Sequence, residues 1–363
     1  RHLAYDASSP RNSQIGVFAS ISAVSKSFGL NHNQHTAFTL IAVPLLSAIT
    51  GLDISPARAK LFNNSPIIIT GAGGTGKSQI VSAVRAIVCS WNQHDSVAVV
   101  ASTGIAASNL NGSTMHSSVG LGINATKLPK HISNPNDRVL RKWAPVLCII
   151  ADEVSMVDLG FFGLWEDALR HVKDATGSLF GGMLAVLMFD HCQLRPVNGA
   201  PMFKTCMKDR PLTALQDRGR VLYSTISKVV YLTDNMRFAN DPEWGEWLAS
   251  ARLGTWPAQL RSHISTLPDF DMEDHQHPAG IIQTVSTDNA TRASVNDTAI
   301  ELAVQTVGQR RKVYVIRAQL SRPLTRAELP LIRGLLDNQT GNTNQCVPRG
   351  VVNGASGVIY HID

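Results

Sequence analysis

Eight consecutive residues, Gly71-Ala72-Gly73-Gly74-Thr75-Gly76-Lys77-Ser78, constrain this chain more than any other feature in it. They match the pattern G-x-x-x-x-G-K-[ST], a loop that joins a strand to a helix. Its glycines let the backbone curl until successive N–H groups converge on phosphate oxygens. The helix that follows adds the positive end of its dipole. Both flanks are present: Pro66-Ile67-Ile68-Ile69-Thr70 reads as a strand and residues 79–88 as a helix. In this setting Lys77 lies on the β- and γ-phosphates and Ser78 ligates Mg²⁺. The expected ligand is a nucleoside triphosphate with Mg²⁺, held by all eight residues.

The rest of the chain suits such a loop. Apolar, often β-branched runs recur at 67–70, 97–101, 146–151, 184–189, 229–232, 281–285 and 313–316, with helix-like stretches between many of them. The alternation predicts an α/β fold with parallel strands. The runs carry few polar residues, as strands covered on both faces do. Residues 36–49 are apolar but too short for a membrane span and contain Pro44, so they read as a buried helix. A boundary is expected within 205–227, where the chain turns polar around Lys204, Lys208, Asp209, Arg210 and Pro211. The expected division is a lead-in over 1–28, a first domain over 29–225 and a second, partial one over 226–363. Trp244, Trp247, Leu248 and Ala251 recur at helical spacing over 241–254, with Gly254 as the stop.

Asp152-Glu153 follows the run 146–151 directly, at the strand end where open α/β sheets bind ligands. Beside a phosphate loop, Asp152 is expected to hold Mg²⁺ and Glu153 to deprotonate the attacking water. No Asn-Lys-x-Asp string for guanine occurs, and the carboxylate after the metal aspartate favours ATP.

The net charge of +6 permits a polyanionic partner without demanding one. Five cysteines, Cys89, Cys148, Cys192, Cys206 and Cys346, form no Cys-x-x-Cys pair, which argues against a disulfide framework or structural zinc and for a reducing compartment. Asp274-His275-Gln276-His277 has no partner cysteines and reads as a loop. The runs Gln309-Arg310-Arg311-Lys312 and 322–326 read as solvated surface. No signal-peptide core opens the chain, which begins with Arg1 rather than Met, as a fragment would.

From about Leu30 onward the chain resembles the superfamily 1 DNA helicases of the petite-integration-frequency type, relatives of RecD and of Helitron-transposon helicases. The string from Leu30 to Phe38 resembles their Q-motif, which implies that Gln34 reads adenine. Ser102-Thr103-Gly104-Ile105-Ala106-Ala107, followed by Gly112-Ser113-Thr114-Met115-His116-Ser117, is similar to a motif that touches the DNA backbone. That likeness implies DNA contacts at Thr103, Gly104, His116 and Ser117. Asp152-Glu153-Val154-Ser155-Met156-Val157 matches the family's metal box. Phe180-Gly181-Gly182 with Asp190-His191-Cys192-Gln193-Leu194 resembles the motif whose glutamine senses the γ-phosphate, here Gln193. Leu232 to Arg237, with Asp241 and Ala251-Arg252-Leu253-Gly254, resembles a segment whose arginine crosses the domain cleft to the γ-phosphate, here Arg237. Val351-Val352-Asn353-Gly354-Ala355-Ser356-Gly357 resembles a turn of the second domain.

The resemblance implies two RecA-like domains, the second partial, with ATP and Mg²⁺ between them. It also implies 5′→3′ movement on single-stranded DNA and at duplex junctions, in repair, recombination or telomere maintenance. The nucleus is the implied compartment, with mitochondria as the alternative. Two departures stand out: Phe189 replaces the family's glycine and Arg195 the first of two prolines. The bulky aromatic is expected to disturb a tight backbone. Two final motifs of the family are not found in the 363 residues, which implies a truncated or fragmentary member, expected by itself to bind Mg-ATP, hydrolyse it slowly and not unwind duplex DNA. Two alternatives stay open: a degenerate remnant that binds ATP or DNA without unwinding, and a P-loop ATPase acting on a partner other than nucleic acid.

Overall fold

Short β-branched runs become strands here because helices cover both sides of the sheet they build. The computed structural model describes residues 15–197, 199–204 and 212–265, with 288, 290–292, 294, 295 and 298. The chain divides into two compact units, residues 1–261 with 344–363, and residues 262–343. In the second, Asp288 closes a turn by accepting the Thr291 amide at 2.8 Å and its hydroxyl at 2.8 Å.

The described part of the first unit holds six parallel strands: β1 (Ile67–Gly71), β2 (Val97–Ala101), β3 (Ser113–Thr114), β4 (Cys148–Asp152), β5 (Leu184–Phe189) and β6 (Lys228–Leu232). They lie in the order β3-β2-β4-β5-β1-β6. Ile67 faces Val186 of β5 on one side and Lys228 of β6 on the other.

Helices α1 (Ile21–Ser27), α2 (His32–Thr50) and α3 (Pro56–Ala59) precede β1, and α4 (Lys77–Ser90) follows it. The segments α5 (Gly104–Asn109), α6 (Met115–Val119), α7 (Lys130–Ser133) and α8 (Asp137–Trp143) lie between β2 and β4. Helix α9 (Leu159–Val172) joins β4 to β5, and α10 (Ala214–Ser224) precedes β6. After β6 come α11 (Pro242–Arg252) and α12 (Ala258–Ser265). No described helix is long and apolar enough to cross a membrane.

Side-chain alternation along the strands splits the core in two. Ile67, Ile69, Ile150, Val186 and Met188 pack against α2 and α4, through residues such as Phe38, Ile41, Ile80 and Ile87. Ile68, Ile149, Leu187 and Phe189 pack against α9, through Phe162, Trp165 and Leu169. Every residue of β4 and β5 is buried.

The expected buried helix at 36–49 is the interior of α2, with Pro44 inside it and an Asn31–Gln34 capping box at its start. The sheet extends past the division expected after residue 225. The polar stretch contains α10, which packs on α9, and β6 then pairs with β1 in the first sheet. The strands expected at 281–285 and 313–316, the turn expected at 351–357, the basic runs and Asp274–His277 lie outside the described residues.

Candidate nucleotide site

Parallel strands deliver their carboxyl ends to one edge, and the motif residues collect there. The phosphate loop leaves β1, Asp152 ends β4, Asp190 follows β5, and residues 233–237 follow β6. Gly74 and Gly76 hold φ of +91° and +87°, which side chains rarely adopt. Space forbids a side chain too: a Cβ on Gly74 would lie 2.6 Å from the Arg237 Cβ, and one on Gly76 would strike the Gln34 amide.

Lys77, first residue of α4, donates Nζ to the carbonyls of Gly71 (2.6 Å) and Ala72 (3.2 Å). Burial pushes its pKa down, against the pull of Asp190, Asp152 and Glu153. Thr75 is buried, and its hydroxyl donates to the Ala72 carbonyl at 2.8 Å. Ser78 stands exposed beside Lys77.

Asp152 is buried and accepts the Glu153 N–H at 2.9 Å. Glu153 sits at φ +53°, in the left-handed region. Such a conformation costs about 1–3 kcal/mol and persists only where the surroundings impose it. Its Oε2 is buried without a hydrogen-bond partner. Burial raises the pKa of both carboxyls. The neighbouring Asp152 charge raises Glu153 further, and Lys77 opposes both shifts. Asp152 and the Ser78 hydroxyl supply hard oxygen donors, and the unpartnered Glu153 oxygen leaves room for a polar ligand next to them. The residues present therefore fit Mg²⁺.

Gln193 and Arg237 close on one point of the loop. A Cβ built on Gly73 would lie 3.2 Å from Arg237 Nη1 and 3.7 Å from Gln193 Nε2. Among the described residues no carboxylate pairs with Arg237. The resemblance implied that Arg237 reaches across from a second domain; it comes instead from the end of β6, in the same sheet as the loop. The strap carrying it is tied down by backbone and amide bonds. Asn235 Nδ2 donates to the Gly73 carbonyl (3.0 Å), the Met236 N–H to the Gly74 carbonyl (3.0 Å), and the Arg237 N–H to Asn235 Oδ1 (3.0 Å).

Gln34, expected at adenine, is buried behind the loop. Its Oε1 accepts the Asn31 N–H (3.0 Å) and its Nε2 donates to the Thr75 carbonyl (3.0 Å). Both ends of the amide are engaged in this arrangement.

Phe189 does not distort the backbone as expected, because its φ lies outside the left-handed region. Its fully buried ring stacks on His191, with centroids 4.8 Å apart and planes 7° from parallel. His191 in turn meets the Thr70 hydroxyl (3.3 Å) and the Tyr223 hydroxyl (3.2 Å). Arg195 lies over the Phe203 ring, 5.4 Å from its centre. Aromatic packing thus occupies the space around this departure from the family pattern.

The four residues expected at DNA lie at the ends of β2 and β3, whose Ala101 and Thr114 are paired. Thr103 caps α5, and Gly104 is the buried first residue of that helix. The Ser117 hydroxyl bonds to Thr114 at 2.8 Å. His116 stacks on Phe161 at 3.9 Å, and burial pushes its pKa down.

Sequence reasoning assigned no role to Asn235, nor to the pair Asp190–Arg252. The signal was present, since all three stood inside the quoted strings. Arg252 Nη1 donates to Asp190 Oδ2 at 2.9 Å, and Nη2 bonds the other oxygen of that fully buried carboxylate.

Comparison with known proteins adds a family. The family model described as PIF1-like helicase matches residues 57–259. The ATP-dependent DNA helicase PIF1 of Emericella nidulans is 28% identical over 246 residues, 65% of this chain and 31% of that protein. The ATP-dependent DNA helicase RRM3 of Saccharomyces cerevisiae is 38% identical over 134 residues, 36% of this chain and 18% of that protein. The chain thus spans about a third or less of these curated relatives. The crystal structure of Pif1 helicase from Candida albicans matches with a TM-score of 0.58 at 20% identity, covering 85% of this chain and 61% of that one. Pif1 helicase from Bacteroides, in complex with ADP-AlF3 and ssDNA, matches with a TM-score of 0.52 at 20% identity, over 72% of this chain and 58% of that one. At these identities the structures speak for the fold, a RecA-like sheet.

Proposed function

Matched over more than half its length, the chain belongs to the PIF1-like helicase family, and on that premise we propose that it couples ATP hydrolysis to 5′→3′ movement along single-stranded DNA and to unwinding at duplex junctions. One observation carries the reading: Gln193 and Arg237 converge on Gly73 of the phosphate loop, which neighbours an unpartnered Glu153 oxygen and Lys77. That is a site prepared for charge developing on a transferring phosphoryl group.

In this reading the loop amides and Lys77 bind the β- and γ-phosphates, with Lys77 exchanging the carbonyls of Gly71 and Ala72 for phosphate oxygens. Ser78 and Asp152 would hold Mg²⁺, whose charge would screen those oxygens. Glu153 orients a water and takes its proton as the water oxygen bonds to the γ-phosphorus and the bond to the β–γ bridging oxygen breaks. Its raised pKa makes it a stronger base than an exposed glutamate. Gln193 donates its amide to a γ-oxygen, and Arg237 neutralises the charge developing there. Gln34 acts on the nucleotide through the Thr75 carbonyl, with base reading as a further role.

DNA contact is assigned to the edge formed by Thr103, Gly104, His116 and Ser117. With Thr103 and Ser117 committed to local bonds, the His116 ring on Phe161 is the group there best suited to meet a base or sugar. A relative of the same fold carries ssDNA and ADP-AlF3 together. Nuclear or mitochondrial DNA is the substrate pool this reading implies.

The test measures ATP hydrolysis with and without single-stranded DNA, alongside displacement of a strand from a duplex with a 5′ tail. Single strands should stimulate turnover, and Lys77→Ala should abolish it. Turnover indifferent to polynucleotide would refute the DNA-coupled reading and leave a P-loop ATPase with another partner.

A further inference from the structure

Asp190 has no exposed surface and follows β5 where Phe189 lies opposite Thr70, the residue that leads into the phosphate loop. Burying a carboxylate there is costly unless a cation is paired with it. Two cations act on it. Arg252 takes both oxygens with its planar fork, an arrangement a lysine cannot reproduce. Lys77 stays on the Gly71 and Ala72 carbonyls, under the charges of Asp190, Asp152 and Glu153 but, among the described residues, in an ion pair with none of them. Helix α11, which carries Arg252, buries none of its residues, so packing does not explain where this arginine goes. The ion pair does.

We propose that Arg252 is a positioning residue for nucleotide binding: by neutralising Asp190 it keeps that carboxylate from capturing Lys77 and leaves the ammonium for the phosphates. An unpaired Asp190 would act as a built-in competitor of the γ-phosphate for the lysine ammonium. The inference rests on the ATPase reading of the site and concerns binding rather than chemistry.

The experiment compares the unsubstituted chain, Arg252→Gln, Asp190→Asn and the double variant. Each is titrated with the Mg²⁺ complex of a non-hydrolysable ATP analogue and its melting temperature recorded. Arg252→Gln should weaken binding at least about tenfold, the effect of an uncompensated buried charge beside a binding cation. Adding Asp190→Asn should restore affinity to within about threefold, because the competing charge is gone. In turnover, KM should move more than kcat. If the pair were only a structural tie, the double variant would bind as weakly as Arg252→Gln, and the proposal would fall. If Arg252→Gln does not fold, Arg252→Lys takes its place: it keeps the charge and should lose less than about tenfold, and a larger loss in a folded protein overturns the proposal. Failure of the unsubstituted chain to bind the analogue would instead overturn the ATPase reading, and the inference with it.

Discussion

Gln34 donates its side-chain amide to the main-chain carbonyl of Thr75 at 3.0 Å, so a helix that precedes the first strand supports the phosphate loop from behind. The same side chain closes the capping box with Asn31. Gln34→Ala removes both bonds. Loss of such a cap costs about 1 kcal/mol, which a lower melting temperature should show. Because the loop itself loosens, affinity should fall for ATP and GTP analogues alike. A loss confined to the adenine nucleotide in parallel titrations would mean that Gln34 reads the base.

Glu153→Gln keeps the size of the side chain and removes the base. Nucleotide binding should survive, while hydrolysis falls by roughly 10²-fold or more. Turnover at the original rate in a single-turnover assay would exclude Glu153 as the proton acceptor.

Asp152 links the site to stability. Burial raises its folded pKa above the unfolded value, so its contribution to stability is greatest below about pH 4 and is lost as pH rises through the raised folded value. Asp152→Asn carries no such charge. In chelator and without nucleotide, the variant should therefore melt above the parent at pH 7, with the gap closing as pH falls toward 4. A parent more stable than the variant at pH 7 would contradict the assignment of burial as the dominant effect. With Mg²⁺ present, the same substitution should weaken nucleotide binding.

Phe189 fills the space between His191 and Tyr223, with ring centroids 4.8 and 5.8 Å away. Phe189→Gly restores the family's residue and opens a cavity, at a cost of about 3–5 kcal/mol or more. Denaturant unfolding should show the loss, with Phe189→Leu in between. Unchanged stability would mean that the ring is dispensable where it sits.

Much of this was legible in the chain. The run 97–101 is β2 and the run 184–189 is β5, because strands buried on both faces leave an unbroken apolar signature. The phosphate loop and Asp152-Glu153 declared themselves by residue type and order. Strand β3 did not, since two residues carry no periodicity. The place of β6 was hidden because nothing in a strand's own residues names its neighbour, and the polar residues before it suggested a boundary. What fills that stretch is α10, which presses against α9 so closely that a Cβ on Gly163 would lie 3.2 Å from the Gly219 nitrogen. Two glycines far apart in sequence do not announce such an approach. Asp190 and Arg252 both stood inside recognised strings, but nothing in either string paired them across 62 residues.

Strand β6 borders the sheet among the described residues, paired with β1 alone, with Val229 and Tyr231 turned outward while Val230 and Leu232 pack against the core. Yet from its end hang Asn235, Met236 and Arg237, the residues laid across the phosphate loop. A slip of one residue along β1 would reverse which side chains face the core. It would also withdraw the guanidinium from Gly73. One wall of the nucleotide's seat is set deep in the fabric of the domain, while the opposite wall hangs from an edge strand and a strap tied to α2 at Asn31 and Asn33, so a change at that edge reaches the seat directly.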